Sequence, residues 1–165
     1  MDIRVLEHFG VAVDRGEPSV EESLEQAVRR LVAIEEIKRL KARYFRCVDF
    51  KQWDEFATLF TEDLVIDFPE STSGPRTREE FVASARRHFQ DGLSIHHGHL
   101  PEITVHDDDH ATAIWPMFDL VEMPHTSAYE SHTGYGHYTE QYRRVAGEWR
   151  IARTQLTRVK RVSLG

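Results

Sequence analysis

Apolar side chains recur every three or four positions from Ser19 to about Val48, which is the spacing of the buried face of an amphipathic helix. The positions that set this period are Leu24, Ala27, Leu31, Ile34, Ile37, Leu40, Tyr44 and Val48. The residues before Ser19 show no sustained period and include Gly16 and Pro18, which disfavour a helix. We therefore expect residues 1–19 to form a tail or arm and residues 20–165 to form one domain.

Two shorter helices are predicted next. Asp49 is followed at the third position by Gln52, a pattern typical of a helix N-cap, and Thr77 with Glu80 forms the pattern of a capping box. The apolar positions of these two helices are Trp53, Phe56 and Phe60, and then Phe81, Ala85 and Phe89. The first half of the chain is therefore predicted to be mainly helical.

The second half of the chain changes to the alternating pattern of β-strands. Strands are predicted at 103–105, 111–115, 138–145 and 149–162, with an earlier short strand at 64–68. The turns between them are marked by Asp107-Asp108-Asp109 and Ala146-Gly147. Helices followed by an antiparallel meander indicate an α+β fold with the helices packed on one face of a curved sheet.

Composition narrows the classes of function. The chain has 165 residues, a formal net charge of -7 and scattered Lys and Arg residues, which disfavours binding to nucleic acid. Its single cysteine, Cys47, cannot form an intrachain disulfide, and no signal-peptide pattern is present, so a cytoplasmic location is expected. No apolar run approaches the ~20 residues of a membrane helix, and no membrane association is expected.

Three segments carry the most specific pattern in the sequence. They are Tyr44-Phe45-Arg46-Cys47-Val48-Asp49 leading into Trp53-Asp54 and Leu59-Phe60-Thr61, then Ser94-Ile95-His96-His97, and then Tyr138 through Tyr142-Arg143-Arg144 to Gly147-Glu148-Trp149-Arg150-Ile151-Ala152. In this order and spacing they resemble the SnoaL-like branch of the nuclear transport factor 2 superfamily, over roughly residues 30 to 162. The resemblance implies a cone-shaped α+β barrel, in which three N-terminal helices pack on a strongly bent antiparallel sheet around a pocket.

The narrower likeness is to scytalone dehydratase, bile acid 7α-dehydratase and hexachlorocyclohexane dehydrochlorinase. It implies a catalytic pair at the matching positions Asp49 and His96, with Tyr44 facing the substrate. It also implies pocket-lining roles for a set of mostly aromatic residues, namely Phe68, Trp115, Met117 and Tyr138. Relatives form dimers or trimers through the outer sheet face, so a homodimer or homotrimer is expected.

The implied pair suits proton transfer without a metal or an organic cofactor. An imidazole with a pKa near ~6.5 is largely neutral at neutral pH and can take a proton from carbon. A carboxylate that accepts the other ring N–H fixes the tautomer and stabilises the imidazolium that forms. A wall of aromatic residues favours a small, largely apolar cyclic substrate, such as a steroid-like or polyketide-like hydroxy-ketone.

Several alternatives remain open at this stage. Asp49 could simply cap the second helix. Strand alternation puts His96 and His97 on opposite faces, but a bulge near Gly98 could exchange them, so His97 is a second candidate for the pocket. His97 and His99 could share a metal ion, although no further ligands are visible and no metal site is expected.

The remaining histidines are expected to be solvated polar residues; they are His88, His106, His110, His125 and His132. The leading hypothesis is a cofactor-independent lyase or isomerase that performs a dehydration or a double-bond shift. The alternative is a non-catalytic module of the same fold that binds a small ligand or serves in assembly.

Overall fold

The computed structural model describes residues 23–68 and 77–164. The tail or arm predicted over residues 1–19 lies outside the described residues and stays a prediction. None of the helices in the described ranges has both the length and the apolar composition needed to cross a membrane.

Three helices lie in the first half of the chain, as the apolar spacing predicts: α1 spans Leu24–Asp49, α2 spans Trp53–Thr58 and α3 spans Arg78–Phe89. The capping box predicted at the start of α3 is confirmed. The backbone N–H of Glu80 donates to Thr77 Oγ1 at 3.2 Å, and the backbone N–H of Thr77 donates to Glu80 Oε2 at 3.2 Å. These bonds satisfy amide groups that have no partner within the helix, and so fix where α3 begins.

Six strands form one curled sheet. Their bounds are β1 Phe60–Asp67, β2 Leu93–Gly98, β3 Glu102–Val105, β4 His110–Glu122, β5 His132–Val145 and β6 Glu148–Ser163. Within the described residues the order is β1-β6-β5-β4-β2, with β3 also paired to β4, and β1 and β2 remain unpaired with each other. The α+β class is thus confirmed, and the curled sheet does not close into a full barrel.

One pairing differs from the expected antiparallel sheet: β1 runs parallel to β6, whereas the other pairs are antiparallel. The reason is connectivity. Antiparallel partners are joined by short turns, as β5 and β6 are at Ala146-Gly147, whereas β1 and β6 stand far apart in the chain and no hairpin constrains their direction.

Burial alternates along β4 and β5, so one face of the sheet is concave and covered. Helix α1 packs against β2, β3 and β6 on that side. The apolar core lies between α1 and the concave face and includes Ile37, Leu40, Phe56, Phe60 and Ile151. The concave face is therefore left uncovered by α1 only beyond the C-terminal end of that helix.

A fully buried ion pair crosses this core. Lys41 Nζ of α1 lies 2.6 Å from Glu140 Oε1 of β5, and neither side chain is exposed. Glu140 also accepts hydrogen bonds from Thr154 Oγ1 at 2.9 Å and from the hydroxyl of Tyr142. Burial lowers the pKa of Lys41, and the charge of Glu140 acts against that shift. Since buried charges are costly unless paired and hydrogen-bonded, each partner is needed by the other.

We expect Lys41→Met to lower the free energy of unfolding by about 3–5 kcal/mol, because the Glu140 carboxylate would be left without its cation. Adding Glu140→Gln should recover part of that loss. Urea denaturation followed by circular dichroism measures both variants. The matched control is Lys38→Met on the exposed face of α1, which should change stability by less than ~0.5 kcal/mol. Equal losses in the single and double variants would contradict the assignment of the cost to the ion pair.

Candidate active site

Asp49 and His96 are in direct contact through two hydrogen bonds. Asp49 Oδ1 lies 2.7 Å from His96 Nδ1, and Asp49 Oδ2 accepts the backbone N–H of His96 at 3.0 Å. A carboxylate is an acceptor, so Nδ1 carries a proton, and in the neutral ring Nε2 is then the nitrogen with the lone pair. The contact therefore fixes the tautomer in which the second ring nitrogen can act as a base.

The position of Asp49 is explained by this contact and not by local helix chemistry. Asp49 is the last residue of α1, where the helix dipole disfavours a carboxylate. The alternative in which Asp49 caps α2 is wrong, because Gln52 occupies the N-cap position and makes no side-chain cap bond. The two N–H groups of His96 compensate the carboxylate instead. A residue that conflicts with its own helix but fits a distant strand is typical of a functional site.

Lys51, two residues after Asp49, connects the end of α1 to Ser94, the neighbouring inward residue of β2. Its Nζ lies 2.9 Å from Ser94 Oγ, and its backbone adopts a left-handed conformation with φ of 60°. Burial lowers the pKa of Lys51, while the charge of Asp49 acts against that shift. The turn after α1 is thus held to β2 at two successive inward positions, by Asp49 at His96 and by Lys51 at Ser94.

Aromatic rings enclose the imidazole of His96. The ring of Phe45 stacks on it with centroids 6.4 Å apart and an angle of 11°, and Phe89 meets it edge-on at 5.3 Å. The side chain of His96 is only 5% exposed, whereas that of Asp49 is 20% exposed. This packing holds the ring orientation and keeps bulk water from the base.

The second candidate on this strand, His97, points away from the pocket. Its ring contacts Phe118 at 6.2 Å between centroids, and His97 is exposed while Ser94 and His96 are buried. Regular alternation along β2 explains the difference, since Gly98 remains in register with Met117 and no bulge intervenes. The possible pocket role of His97 is therefore not supported by its placement.

A cavity of about 570 Å³ lies beside the exposed edge of His96. Its apolar wall comes from all three helices, from β1 with the residue that follows it, and from β6. It consists of Val48, Phe56, Ile66, Phe68, Phe81, Ala85, Phe89 and Leu156. Tyr44 and Tyr138 also line it. Of the predicted pocket residues, the structure thus brings together His96, Tyr44, Phe68 and Tyr138, with Asp49 directly behind His96.

Trp115 and Met117 do not line this cavity, contrary to expectation. Both are buried on the concave face of β4, but α1 covers that part of the sheet. Beside Gly98, the rings of Phe45 and Trp115 come together, and Trp115 Nε1 donates to the Tyr142 hydroxyl at 2.9 Å. The cavity begins one inward position further along β4, past the end of the helix, at Asp119.

The rings of Tyr44 and Tyr138 pack edge to face, with centroids 5.9 Å apart. Lys41 Nζ lies beneath both rings, 4.2 Å from the centroid of Tyr44 and 3.7 Å from that of Tyr138. Burial raises the pKa of both phenols, and the charges of Glu140 and Asp119 raise them further. Both tyrosines are therefore neutral hydrogen-bond donors at the cavity wall.

A buried ion pair forms the opposite, polar wall and was not anticipated from the sequence. Arg158 Nη1 donates to Asp119 Oδ1 at 2.9 Å, and Arg158 Nη2 donates to Asp119 Oδ2 at 2.7 Å. The pair joins β4 to β6 across the intervening β5. A Cβ on Gly134 would lie 1.8 Å from Arg158 Nη1 and 2.3 Å from Asp119 Oδ1. The ion pair therefore requires a residue without a side chain at position 134.

A β-bulge brings Arg161 to the same face of β6 as Arg158. The pairing of β5 with β6 shifts register after Tyr135, so Val159 is an extra residue in β6. Because side chains alternate between the two faces of a strand, this extra residue brings Arg158 and Arg161 to the same face. Both line the cavity. In a regular strand, Arg161 would point to the outer face.

Two histidines predicted to be solvated surface residues also line the cavity. His132 is buried and its Nδ1 lies 3.0 Å from the backbone carbonyl of Glu130. The pKa of His88 is lowered to about 4, first by burial and then by the charges of His132, Arg161 and Arg158. His88 is therefore neutral, and the expectation that these two side chains are solvated is wrong.

Part of this wall has a signal in the sequence. The inward residues of β4 form an apolar row interrupted by one carboxylate, and they are Ala111, Ala113, Trp115, Met117, Asp119 and Val121. Asp119 could have been recognised as a buried charge in need of a partner. The partner could not, because Arg158 lies two strands away on β6 and reaches Asp119 only across Gly134, which has no side chain to block the contact. Within residues 23–68 and 77–164, no three His, Cys, Asp or Glu side chains gather as a metal site would require.

Comparison with known proteins agrees with this architecture. Residues 29–155 match the SnoaL-like domain family. Among solved structures, the chain is similar to a protein named as a candidate scytalone dehydratase from Novosphingobium aromaticivorans, with 20% identity and a TM-score of 0.72 over 82% of this chain and 89% of that chain. It is also similar to a type 2 hexachlorocyclohexane dehydrochlorinase, with 18% identity and a TM-score of 0.73 over 84% and 93% of the two chains.

A third similar structure is the Kfla4162 protein from Kribbella flavida, with 24% identity and a TM-score of 0.69 over 78% of this chain and 91% of that chain. At these identities the likeness to solved structures shows the fold. The cone fold expected from the sequence is thereby confirmed.

We expect Gly134→Ala to separate the Asp119–Arg158 pair and to lower the free energy of unfolding by about 1–3 kcal/mol, because the new Cβ occupies the space of both side chains. Thermal and urea unfolding measure the loss. The same substitution should cost much less in a background that carries Asp119→Ala and Arg158→Ala, where the colliding atoms are gone. An undiminished cost in that background would place the strain elsewhere in β5.

Proposed function

This chain belongs to the SnoaL-like domain family, and we propose that it is a cofactor-independent lyase or isomerase in which Asp49 and His96 move a proton on a small cyclic substrate. The observation that carries the proposal is the 2.7 Å contact between Asp49 Oδ1 and His96 Nδ1 at the wall of a cavity. Nothing in the local packing of α1 requires a carboxylate there, whereas the chemistry of a base requires it.

The proposed first step is proton abstraction by His96 Nε2 from a carbon next to a carbonyl group. The C–H bond breaks, the proton passes to Nε2, and the electron pair moves toward the carbonyl oxygen to give an enolate. The imidazolium is then stabilised by the carboxylate of Asp49, which keeps the hydrogen bond from Nδ1. The substrate itself supplies the electron sink, so the step needs no redox partner.

In the second step of a dehydration, the enolate re-forms the carbonyl and expels a hydroxyl group from the adjacent β-carbon. The hydroxyl leaves as water after taking a proton, which the His96 imidazolium can return. The products are an α,β-unsaturated ketone and water, and His96 is neutral again. If the substrate is instead a β,γ-unsaturated ketone, the same proton abstraction gives a dienolate, and return of the proton to the γ-carbon shifts the double bond into conjugation.

Neutral donors in the cavity that His96 lines suit the charge that develops on the substrate oxygen. Tyr44 and Tyr138 keep their protons because burial raises the pKa of each phenol, and Arg158 adds a guanidinium on the other wall. Donors fixed in a water-poor cavity stabilise a developing oxyanion without having to reorganise. We therefore propose Tyr44 as the group nearest in role to an oxyanion donor, supported by Tyr138 and Arg158.

The size and lining of the cavity support a cyclic substrate. A volume of about 570 Å³ is in the range of pockets that enclose drug-sized molecules. Phe68, Phe81 and Phe89 supply flat apolar contacts on the helical side. A steroid-like or polyketide-like hydroxy-ketone is compatible with this wall, and the polar wall at Asp119 and Arg158 faces any oxygen substituents that it carries.

Turnover of bicyclic β-hydroxy-ketones tests the proposal. We expect Asp49→Asn and His96→Ala to reduce kcat/KM by about 10²–10⁴-fold, because each removes positioned general-base catalysis. Formation of the conjugated ketone is followed by absorbance, and exchange of the α-proton with deuterated solvent is followed by NMR. His97→Ala is the matched control, since this neighbouring imidazole points to the outer face.

Variants that fold normally and still turn over at the wild-type rate would show that the pair is not catalytic. Ligand binding without turnover or proton exchange in the wild-type protein would favour the non-catalytic binding module.

The homodimer or homotrimer remains a prediction. The exposed apolar residues on the outer sheet face, Tyr135, Val159 and Val162, provide a physical reason for it. Light scattering of the purified protein measures that state.

A further inference from the structure

The cavity carries more positive than negative charge. Three arginines line it, Arg87, Arg158 and Arg161, against one carboxylate, Asp119, among the described lining residues. The whole chain has a formal net charge of -7, so this local excess does not follow from composition. A cleft lined by one sign of charge concentrates ligands of the opposite sign.

Asp119 accounts for the charge of one arginine only. Both of its oxygens are engaged by the fork with Arg158 at 2.9 and 2.7 Å. Arg161 approaches a different carboxylate, that of Glu130, at 3.7 Å, and its Nη2 lies 3.3 Å from His132 Nδ1. Glu130 is exposed and also accepts a hydrogen bond from Ser163 Oγ at 2.7 Å. Its compensation of Arg161 is therefore partial and screened by solvent.

The orientation of Arg161 requires a special backbone feature. The bulge at Val159 turns its side chain to the concave face, beside buried His132 on the neighbouring strand. The register places Arg161 directly opposite Gly134. Bulges that re-aim a side chain next to a cavity are characteristic of ligand sites. Arg161 remains 42% exposed, so it lies at the rim, where an entering ligand meets it.

We propose that the substrate is a cyclic carboxylic acid, and that its carboxylate binds at the rim to Arg161, with His132 beside it. Arginine presents paired N–H donors that match the two oxygens of a carboxylate. The dyad lies on β2 and Arg161 on β6, separated by β4 and β5. Three strand spacings correspond to roughly 14 Å along the sheet, a span that one ring system bearing a carboxylate substituent can bridge. The identity of the reacting ligand rests on the proposed function; the preference for an acid does not.

Binding of 2-naphthoate and of the neutral 2-naphthamide, which has nearly the same shape, tests the inference. Isothermal titration calorimetry of the full chain should show that wild-type protein binds the acid at least about ten-fold more tightly than the amide. Arg161→Gln should abolish this preference, and Arg161→Lys should retain part of it because the charge remains. Arg29→Gln on the exposed face of α1 makes the same change in net charge and should leave the preference intact.

Equal affinity of wild-type protein for the two probes, or no binding of the acid at millimolar concentration, overturns the inference. A preference that survives Arg161→Gln also overturns it. His96→Ala separates this result from the proposed function, since that variant should keep the preference for the acid while losing turnover. If the wild-type protein shows no preference for the acid while His96→Ala still abolishes turnover, only the present inference is contradicted. If the preference is found but His96→Ala leaves turnover unchanged, only the catalytic role of His96 is contradicted.

Discussion

The contact between one carboxylate and the two N–H groups of one histidine organises the rest of this structure. Asp49 accepts the ring N–H and the backbone N–H of His96, so it fixes at once the position of the strand, the tautomer of the ring and the end of α1. A carboxylate at the C-terminal end of a helix is unfavourable on its own. The fold tolerates it because the hydrogen bonds come from β2, and the same bonds leave Nε2 as the basic atom at the cavity wall.

Buried charges on the concave face of the sheet are compensated in the same way as Asp49, by a partner on another element. Lys41 of α1 meets Glu140 of β5, and Asp119 of β4 meets Arg158 of β6. Both pairs lie close to the tyrosines that line the cavity, and both affect how these phenols titrate: Glu140 and Asp119 raise the pKa of Tyr44 and of Tyr138. The interior ion pairs therefore neutralise buried charge and also keep the two phenols protonated. They give the cavity an apolar helical wall and a charged strand wall, and a ligand that fills it must match both.

Much of the architecture could be predicted from local pattern. The period of α1, the capping box at Thr77 and Glu80, and the change to alternation in the second half each have a direct physical signal in neighbouring residues. The parallel pairing of β1 with β6 has no such signal, since the two strands are distant in the chain. In the site, the pairing of Asp49 with His96 was expected from a resemblance, whereas periodicity alone favoured Asp49 as a cap. The resemblance also implied that Trp115 and Met117 line the pocket, but both are core residues in this structure, and the cavity is reached on β4 only at Asp119.

By itself, the sequence determined the class of fold and the approximate bounds of the main helices, because these depend on interactions within a few residues along the chain, whereas the choice between His96 and His97 needed the pairing of β2. Tertiary structure alone decided that Asp119 meets Arg158, that His132 and His88 line a cavity, and that Arg161 points into it. The physical reason is that Arg161 faces the cavity because of a bulge at Val159, and that Arg158 reaches Asp119 because Gly134 between them has no side chain. A bulge changes the face of every residue after it, and a glycine matters only through what lies above it, so neither effect can be read before the strands are paired.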